Sequence, residues 1–263
     1  GAFEFSHKVN LSEFGRNEGA IFDVESCPEI RDVLNKVRSK SFKVSDVFDV
    51  TRGYNPYDAA TGQSQETISS RAYHSDHKKD ETFVPELKGK HVQPYGYLWD
   101  GKHFISYGPW LAAPREPKYF TGERIVFREI LGRRLVATLI EEDFKIDRSL
   151  YIAKPNEGSP VSSRFVLGIL TSALLVFYFR YSSNEFDALF PKIRVAEFKE
   201  LPIPAATLAQ QSEIEKRVEK ILAQKKKTPD ADVSALEAEI DQLVYKLYSL
   251  TDEEVKIVEG AGK

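Results

Sequence analysis

The stretch from Lys88 to Arg148 reads KGKHVQPYGYLWDGKHFISYGPWLAAPREPKYFTGERIVFREILGRRLVATLIEEDFKIDR. Short β-like runs at 104–107, 124–130 and 135–140 are separated by Gly and Pro turn signals, a pattern of short twisted strands. Both tryptophans, Trp99 and Trp110, fall here, with an arginine series at Arg115, Arg124, Arg128, Arg133 and Arg134. Guanidinium groups set among rigid aromatic, turn-rich loops suit gripping a partner. No catalytic triad, metal cluster or phosphate loop stands in the stretch.

Upstream, residues 1–24 read as irregular or short extended structure. Ser26-Cys27-Pro28-Glu29 resembles a helix start, with Ser26 as cap and Pro28 in the first turn. Ile30, Val33, Leu34 and Val37 follow at helical spacing. Residues 42–50 alternate and predict a strand or strand pair, and 51–82 predict a long polar loop, of the kind that is usually functional or disordered. Downstream, 149–153 reads as a strand, 162–180 as one largely buried helix, and 193–198 as a further strand. Leu201-Pro202-Ile203-Pro204 marks a boundary, after which Ala, Glu, Lys, Gln and Leu dominate.

Thr207 to Gln210 opens a helix with a capping-box pattern, and Ile214, Val218, Ile221 and Leu222 line one face. Lys225-Lys226-Lys227-Thr228-Pro229-Asp230 is a solvated turn. Val233, Leu236, Ile240, Leu243, Leu247 and Leu250 then form a 3-4 heptad seam, and Thr251-Asp252-Glu253-Glu254 caps a last short helix ending near Gly260. The expected architecture is α+β: a mixed α/β domain over 1–204, with 1–40 as lead-in segment and helix, and an antiparallel helical hairpin over 205–263. A two-helix hairpin cannot bury its seam alone. It must pack on the first domain, an upstream domain or a second copy.

The chain has 263 residues, 41% of them apolar, and 37 basic against 40 acidic residues give a net charge of −3. That balance does not flag a nucleic-acid binder, though a charge patch can be local. The single cysteine, Cys27, excludes an intramolecular disulfide and a Cys-rich zinc site and fits a reducing cytoplasm. The longest apolar run, near 165–179, is broken by Gly168, Thr171 and Ser172 and is too short to span a bilayer comfortably. No signal peptide is visible. The start GAFEF and the lack of any methionine read as a piece of a longer protein, with room for an expression remnant at Gly1.

Three clusters invite catalytic readings, each with a simpler one beside it. Asn55-Pro56-Tyr57 is similar to the Asn/Asp-Pro-Pro-Tyr loop of amino-methyltransferases, but it has one proline and no glycine-rich cofactor loop upstream, and Asn-Pro favours a turn. His74, Asp76 and His77 could touch a metal, yet only His91 and His103 lie near in sequence, so a polar loop is the better reading. Glu141-Glu142-Asp143 with Lys145 lacks the ordered spacing of a nuclease and reads as a solvated turn.

The basic residues are the stronger signal. Lys88, Lys90, Arg128, Arg133 and Arg134 are the candidates for phosphate contacts, which give affinity without reading sequence. Arg128 has a structural ion pair in a buried strand as its alternative. In the 51–82 loop, Arg52, Asn55, Gln63, Gln65 and Arg71 carry the side chains that read guanine or adenine in the major groove. Trp99, Trp110, Tyr95 and Tyr107 fit core or loop packing better than base stacking.

The runs Leu87-Lys88-Gly89-Lys90-His91-Val92-Gln93-Pro94-Tyr95, Tyr107-Gly108-Pro109-Trp110-Leu111, Pro114-Arg115-Glu116, Tyr119-Phe120 and Glu123-Arg124-Ile125-Val126-Phe127-Arg128-Glu129-Ile130 resemble the TaqI-like C-terminal specificity domain. That domain belongs to adenine-specific DNA methyltransferases and to fused type IIG restriction–modification enzymes. The resemblance continues through Arg148-Ser149-Leu150-Tyr151, Leu167 to Ser172, Phe177-Tyr178-Phe179, Phe198 to Pro204 and Ile240 to Thr251, covering roughly 40–258.

The resemblance implies a target-recognition domain. Such a domain grips double-stranded DNA, reads a short asymmetric sequence and presents an adenine, flipped from the helix, to an N-terminal methyltransferase domain of the same parent chain. The helical tail is similar to the spacer helices of type I specificity subunits. S-adenosylmethionine, and Mg where a nuclease is present, are expected in the parent and no cofactor in this piece, which lacks the family's catalytic parts and should bind without catalysing. The family transfers no base contacts residue by residue, so the loop choices above rest on chemistry and position. Two rivals stand beside this reading: an interaction module whose hairpin self-associates or docks proteins, and an enzyme in its own right.

Overall fold

Alternation along Arg124–Arg128 sets the centre of the fold. The structure, a computed structural model, describes residues 28–39, 41–182 and 192–260; the expected irregular segment 1–24 and the Ser26 cap with Cys27 lie outside them. Phe48–Arg52, Leu150–Pro155, Arg124–Arg128 and Ala137–Ile140 lie side by side in that order as an antiparallel central sheet. Successive side chains on a strand point to opposite faces. Ile125, Phe127, Tyr151, Ala153 and Val50 therefore face one core, while Val126, Leu150 and Ile152 face another.

The first core is helical. Phe127 stacks on Phe198 at 3.9 Å, and the same cluster takes in Val33, Leu34 and Val37 of the helix Pro28–Ser39 with Phe165 and Leu167 of the helix Ser163–Leu170. The second core lies under an outer sheet of Lys145–Ile146, Phe83–Leu87, Phe104–Ser106 and His74–Ser75. Here Leu87, Ile105, Phe120 and Ile146 pack against the central sheet. With both faces buried, register is strongly fixed, because a slip of one residue would exchange the two cores.

Ile214, Val218, Ile221, Ile240 and Val244 belong to the first core, so the helical hairpin, Leu208–Lys227 and Ser234–Leu247, packs on the α/β part. Gly168 makes this approach close: a Cβ there would stand 2.5 Å from Ile214 Cγ2. On Ser234–Leu247 and the residues just beyond it, Ile240, Val244, Tyr245 and Tyr248 are buried, whereas Leu236, Leu243, Leu247 and Leu250 are half-buried. The face pressed on the core follows the 3.6-residue period of a globular helix rather than the full seam. Both capping boxes form, Thr207 with Gln210 and Thr251 with Glu254.

Several expected elements differ. Within 42–50, Val44–Val47 is a helical turn between the strands Ser41–Lys43 and Phe48–Arg52, held by Asp46 accepting from Lys43 N–H at 2.7 Å. The expected single helix over 162–180 is two, Ser163–Leu170 and Ala173–Ser182, bent by 61°. Thr171 and Ser172 bond back to the carbonyls of Leu167 and Ile169, and the Ser172 hydroxyl then accepts from Leu175 N–H, which ends one helix and starts the next.

The expected strand at 193–198 is the helix Val195–Lys199, opened by Glu197 accepting from Arg194 N–H; only Lys192 makes a bridge, to Ile130. The Pro-x-Pro boundary is itself a strand, Pro202–Pro204, paired with Ser41–Lys43. Prolines are admissible there because the ladder has only two strands. Inside the expected loop 51–82 lie a turn at Ala59–Thr61, the short helix Gln65–Ser69 and the strand His74–Ser75. Among the described residues no single helix is long and apolar enough to cross a membrane.

Candidate nucleic-acid interface

The register of the central sheet gathers the basic loops. Arg52 pairs with Tyr151, Leu150 with Arg128, and Phe127 with Ala137. One end of the sheet thus carries Arg52 and the chain beyond it, the turn Asp147-Arg148-Ser149, and the whole 129–136 loop. Gly53 lets two backbones cross closely, since a Cβ would stand 2.2 Å from Asp147 O. Asn55 bridges Ala113, the Arg115 guanidinium donates to Arg52 O at 2.9 Å, and Gly89 N–H donates to Ser149 Oγ at 2.8 Å. Chain segments near 52, 89, 115, 130 and 148 therefore converge on one rim.

The phosphate candidates divide. Lys90 and Arg133 are exposed. Arg128 is half-buried, its Nε has no hydrogen-bond partner, and burial alone pulls its pKa down with no opposing charge. Among the described residues no structural ion pair forms at Arg128. Lys88 instead meets Glu86 Oε2 at 2.9 Å, off the hydrogen-bonding angle. Arg134 is committed to Asp241 through two hydrogen bonds and also donates to Thr171 O. Burial would lower its pKa, but Asp241 and Glu237 outweigh burial and push it up. As a phosphate contact Arg134 is corrected to a structural residue, because its charge is already matched.

The base-reading candidates divide too. Gln63 uses its whole amide internally: it donates to Pro56 O and Trp110 O and accepts from Asp58 N–H. It shapes the loop rather than facing outward. Arg52 donates to Arg148 O and pairs with Glu129 at 3.1 Å. Asn55 Oδ1 accepts from Arg148 at 3.2 Å. Gln65 is exposed at the start of its helix. Arg71, at φ 51°, lies over the Tyr57 ring and against His74 Nε2 at 3.3 Å.

Beneath the rim lies a buried polar network that sequence reading missed. The Tyr54 hydroxyl donates to the fully buried Glu86, and His74 Nε2 is 3.3 Å from the same oxygen. His74 Nδ1 bonds the Tyr57 hydroxyl at 2.9 Å. Burial would raise the Glu86 carboxyl, but His74, Lys88 and Tyr54 outweigh it and hold it below the usual carboxylate range. Burial and the Glu86 charge push the Tyr54 hydroxyl well up. The network fixes the strand Phe83–Leu87, which leads into Lys88, and the loop that carries Arg71.

Arg115 and Arg148 were also missed as site residues. Neither has a carboxylate partner among the described residues, and only pairing between segments far apart in sequence brings them to Arg52. Metal ligation has weaker support. His77 pairs with Asp76 at the surface, away from His74's network. His91, Asp100 and His103 bring ligand atoms within 4.8 Å of one another. However, Lys88 N–H donates to His91 Nδ1. That occupies one nitrogen and puts the neutral ring's proton on the other.

The family model of the TaqI-like C-terminal specificity domain matches residues 84–203. No curated protein matches the sequence. Among solved structures, the type IIL restriction–modification enzyme MmeI in complex with DNA shares the fold with a TM-score of 0.56 at 10% identity, over 85% of this chain and 37% of that one. The type IIG restriction endonuclease BpuSI matches with a TM-score of 0.46 at 10% identity, over 84% and 33%. The HsdS subunit from Thermoanaerobacter tengcongensis matches with 0.40 at 14% identity, over 83% and 49%. The chain thus spans about a third to a half of the length of these proteins. Over residues 84–203, less than half of the chain, the family match agrees with the resemblance carried by the motifs: the sequence there is similar to the TaqI-like C-terminal specificity domain.

Proposed function

We propose that the chain recognises a specific sequence of double-stranded DNA for an N6-adenine DNA methyltransferase or restriction enzyme, and does not itself catalyse. One observation carries the reading. Among the described residues, Lys90, Arg115, Arg128, Arg133 and Arg148 have no carboxylate partner, and all belong to segments that meet at one end of the central sheet. Two arginines away from this end are matched. Arg164, near the opposite end, meets Glu123, Glu141 and Glu219, and Arg217 meets Glu213 and Glu239. A half-buried guanidinium without a counterion is costly, and a phosphate would supply the missing charge. A net charge near zero conceals this local excess.

In this reading Lys90, Arg115, Arg128, Arg133 and Arg148 hold phosphates, while Arg71, Gln65, Asn55 and Arg52 are the side chains available for base edges. Lys88 stands between the two roles, paired with Glu86 but at the rim. The methyl transfer belongs to an N-terminal methyltransferase domain of the parent chain using S-adenosylmethionine, with Mg where cleavage is added, in the cytoplasm. The half-buried Leu236, Leu243, Leu247 and Leu250 leave room for a second reading, helix–helix association through the hairpin. The test is an anisotropy titration with a randomised duplex pool at low and moderate salt, sequencing the retained fraction. Salt-dependent binding with an enriched motif supports recognition. Salt-insensitive self-association without DNA binding would replace it with the second reading.

A further inference from the structure

Trp110 is 42% exposed, unusual for so large an apolar side chain, and it is not loose. Its indole N–H donates to Ser106 O at 3.0 Å, and its ring lies on Gly108, where a Cβ would stand 2.4 Å from the ring. Its carbonyl accepts from Gln63 at 3.0 Å. The same segment continues through the Ala113–Asn55 bridge to Arg115, which grips Arg52 O. With its only polar atom already bonded, the indole has just apolar surface left to offer. What docks there must therefore bring apolar or π surface of its own.

The neighbouring cations decide what kind of molecule that is. Among the described residues Arg115 and Arg148 lack carboxylate partners, and they adjoin the loops strapped to Trp110, which favours a polyanion with exposed rings and sugars over an apolar protein surface. Leu98, 52% exposed, offers a contrast. It sits beside Asp100 and Phe144 on the edge of a shallow cavity whose lining carries one acidic group and no cation. We propose that Trp110 packs against a nucleotide of the bound duplex, as a pre-positioned apolar contact on the segment that carries Arg115. This rests on the DNA-binding reading and adds a residue to it. The rigid seat means that little side-chain entropy is lost on binding.

The test uses a short fluorescein-labelled duplex, read by anisotropy, together with tryptophan emission. The variant W99F leaves Trp110 as the sole emitter. Saturating duplex should shift its emission and shield it from acrylamide. W110A should weaken binding roughly ten-fold, the scale of a lost base–aromatic contact, with an unchanged salt slope, and W110F should recover most of the loss. Should W99F fail to fold, fluorotryptophan labelling of the wild-type chain gives two resonances, and the one lost in W110F must move with DNA. Duplex binding with Trp110 unchanged and W110A binding like wild type overturns the contact but leaves DNA recognition standing. Absence of salt-dependent duplex binding overturns both.

Discussion

The Arg134 guanidinium meets the Asp241 carboxylate end-on, Nη1 to Oδ1 at 3.0 Å and Nη2 to Oδ2 at 2.6 Å. The pair joins the 129–136 loop at the basic rim to the second helix of the hairpin. Asp241 also accepts from Ala173 N–H, and Arg134 donates to Thr171 O, so both clamp the break between the two buried helices. Removing Asp241 leaves the largely buried Arg134 with only Glu237, 3.4 Å from its Nε, to match it, and leaves Ala173 N–H without its acceptor. D241A should therefore cost about 3–5 kcal/mol in urea unfolding. The double variant R134L/D241L should cost less than D241A alone. Equal losses in the two would show that the charge pair is not what matters.

Arg128 should behave in the opposite way. Among the described residues its guanidinium has no ion-pair partner, so R128M should leave stability unchanged or raise it by up to about 1 kcal/mol. The same change should weaken all duplex sequences alike and flatten the salt dependence by about one counterion. Chemical denaturation and a salt titration of DNA affinity measure the two effects separately. A destabilised R128M with normal DNA binding would assign Arg128 to packing.

Acid should attack the polar network and the adjoining histidine. The Glu86 pKa is depressed in the folded chain, so its contribution is fully present above the ordinary 4.5 and is lost as pH falls through the folded value. His91 is depressed from 6.5 to about 4, by burial first and then by His103 and Lys90. The unfolded chain then binds the extra proton between those values. His91 therefore favours the fold above about pH 6.5 and ceases to do so as pH falls to about 4. Unfolding midpoints followed from pH 7 downward should fall less steeply for H91N over that window. A parallel fall would place the pH dependence elsewhere.

G168A should destabilise although alanine is the better helix former. The new Cβ would lie 2.5 Å from Ile214 Cγ2 and 3.1 Å from Val218 Cγ2, in contact with the hairpin. Overpacking of this kind costs about 1–3 kcal/mol, beyond the roughly 1 kcal/mol gained in helix propensity. Adding I214A should recover part of the loss, and denaturant midpoints of the three chains decide it.

The sequence disclosed those elements whose signals are local. The strand in 124–130 was readable because each side chain commits to one of two cores. Thr207 and Thr251 announced their helices by capping boxes, and Ile30, Val33, Leu34 and Val37 by spacing. Thr171 and Ser172 were the opposite case. Inside an apolar run they look neutral, and only their bonds back to Leu167 and Ile169 break the helix. The Arg194–Glu197 cap, which turned an expected strand into a helix, was hidden beneath apolar alternation. In the proposed site, residue type named cations without showing which charges were already spent. Arg134 and Asp241 are 107 residues apart, and nothing local links them. Arg115 and Arg148 reach the rim through strand register, which sequence spacing does not encode.

The central sheet is sealed on both faces, so its ends are the only margins where chain can be added without disturbing a core. Lengthening the chain beyond Arg52 costs closure entropy that rises only about 0.6 kcal/mol for each doubling in length. Insertions there would alter the surface offered to a ligand and leave both cores untouched. An insertion into Ser163–Leu170 would separate the hairpin from the sheet. The molecule is therefore tolerant of drift at one margin and intolerant across its helical face, a gradient that a library of random insertions, sorted for soluble expression, would map directly.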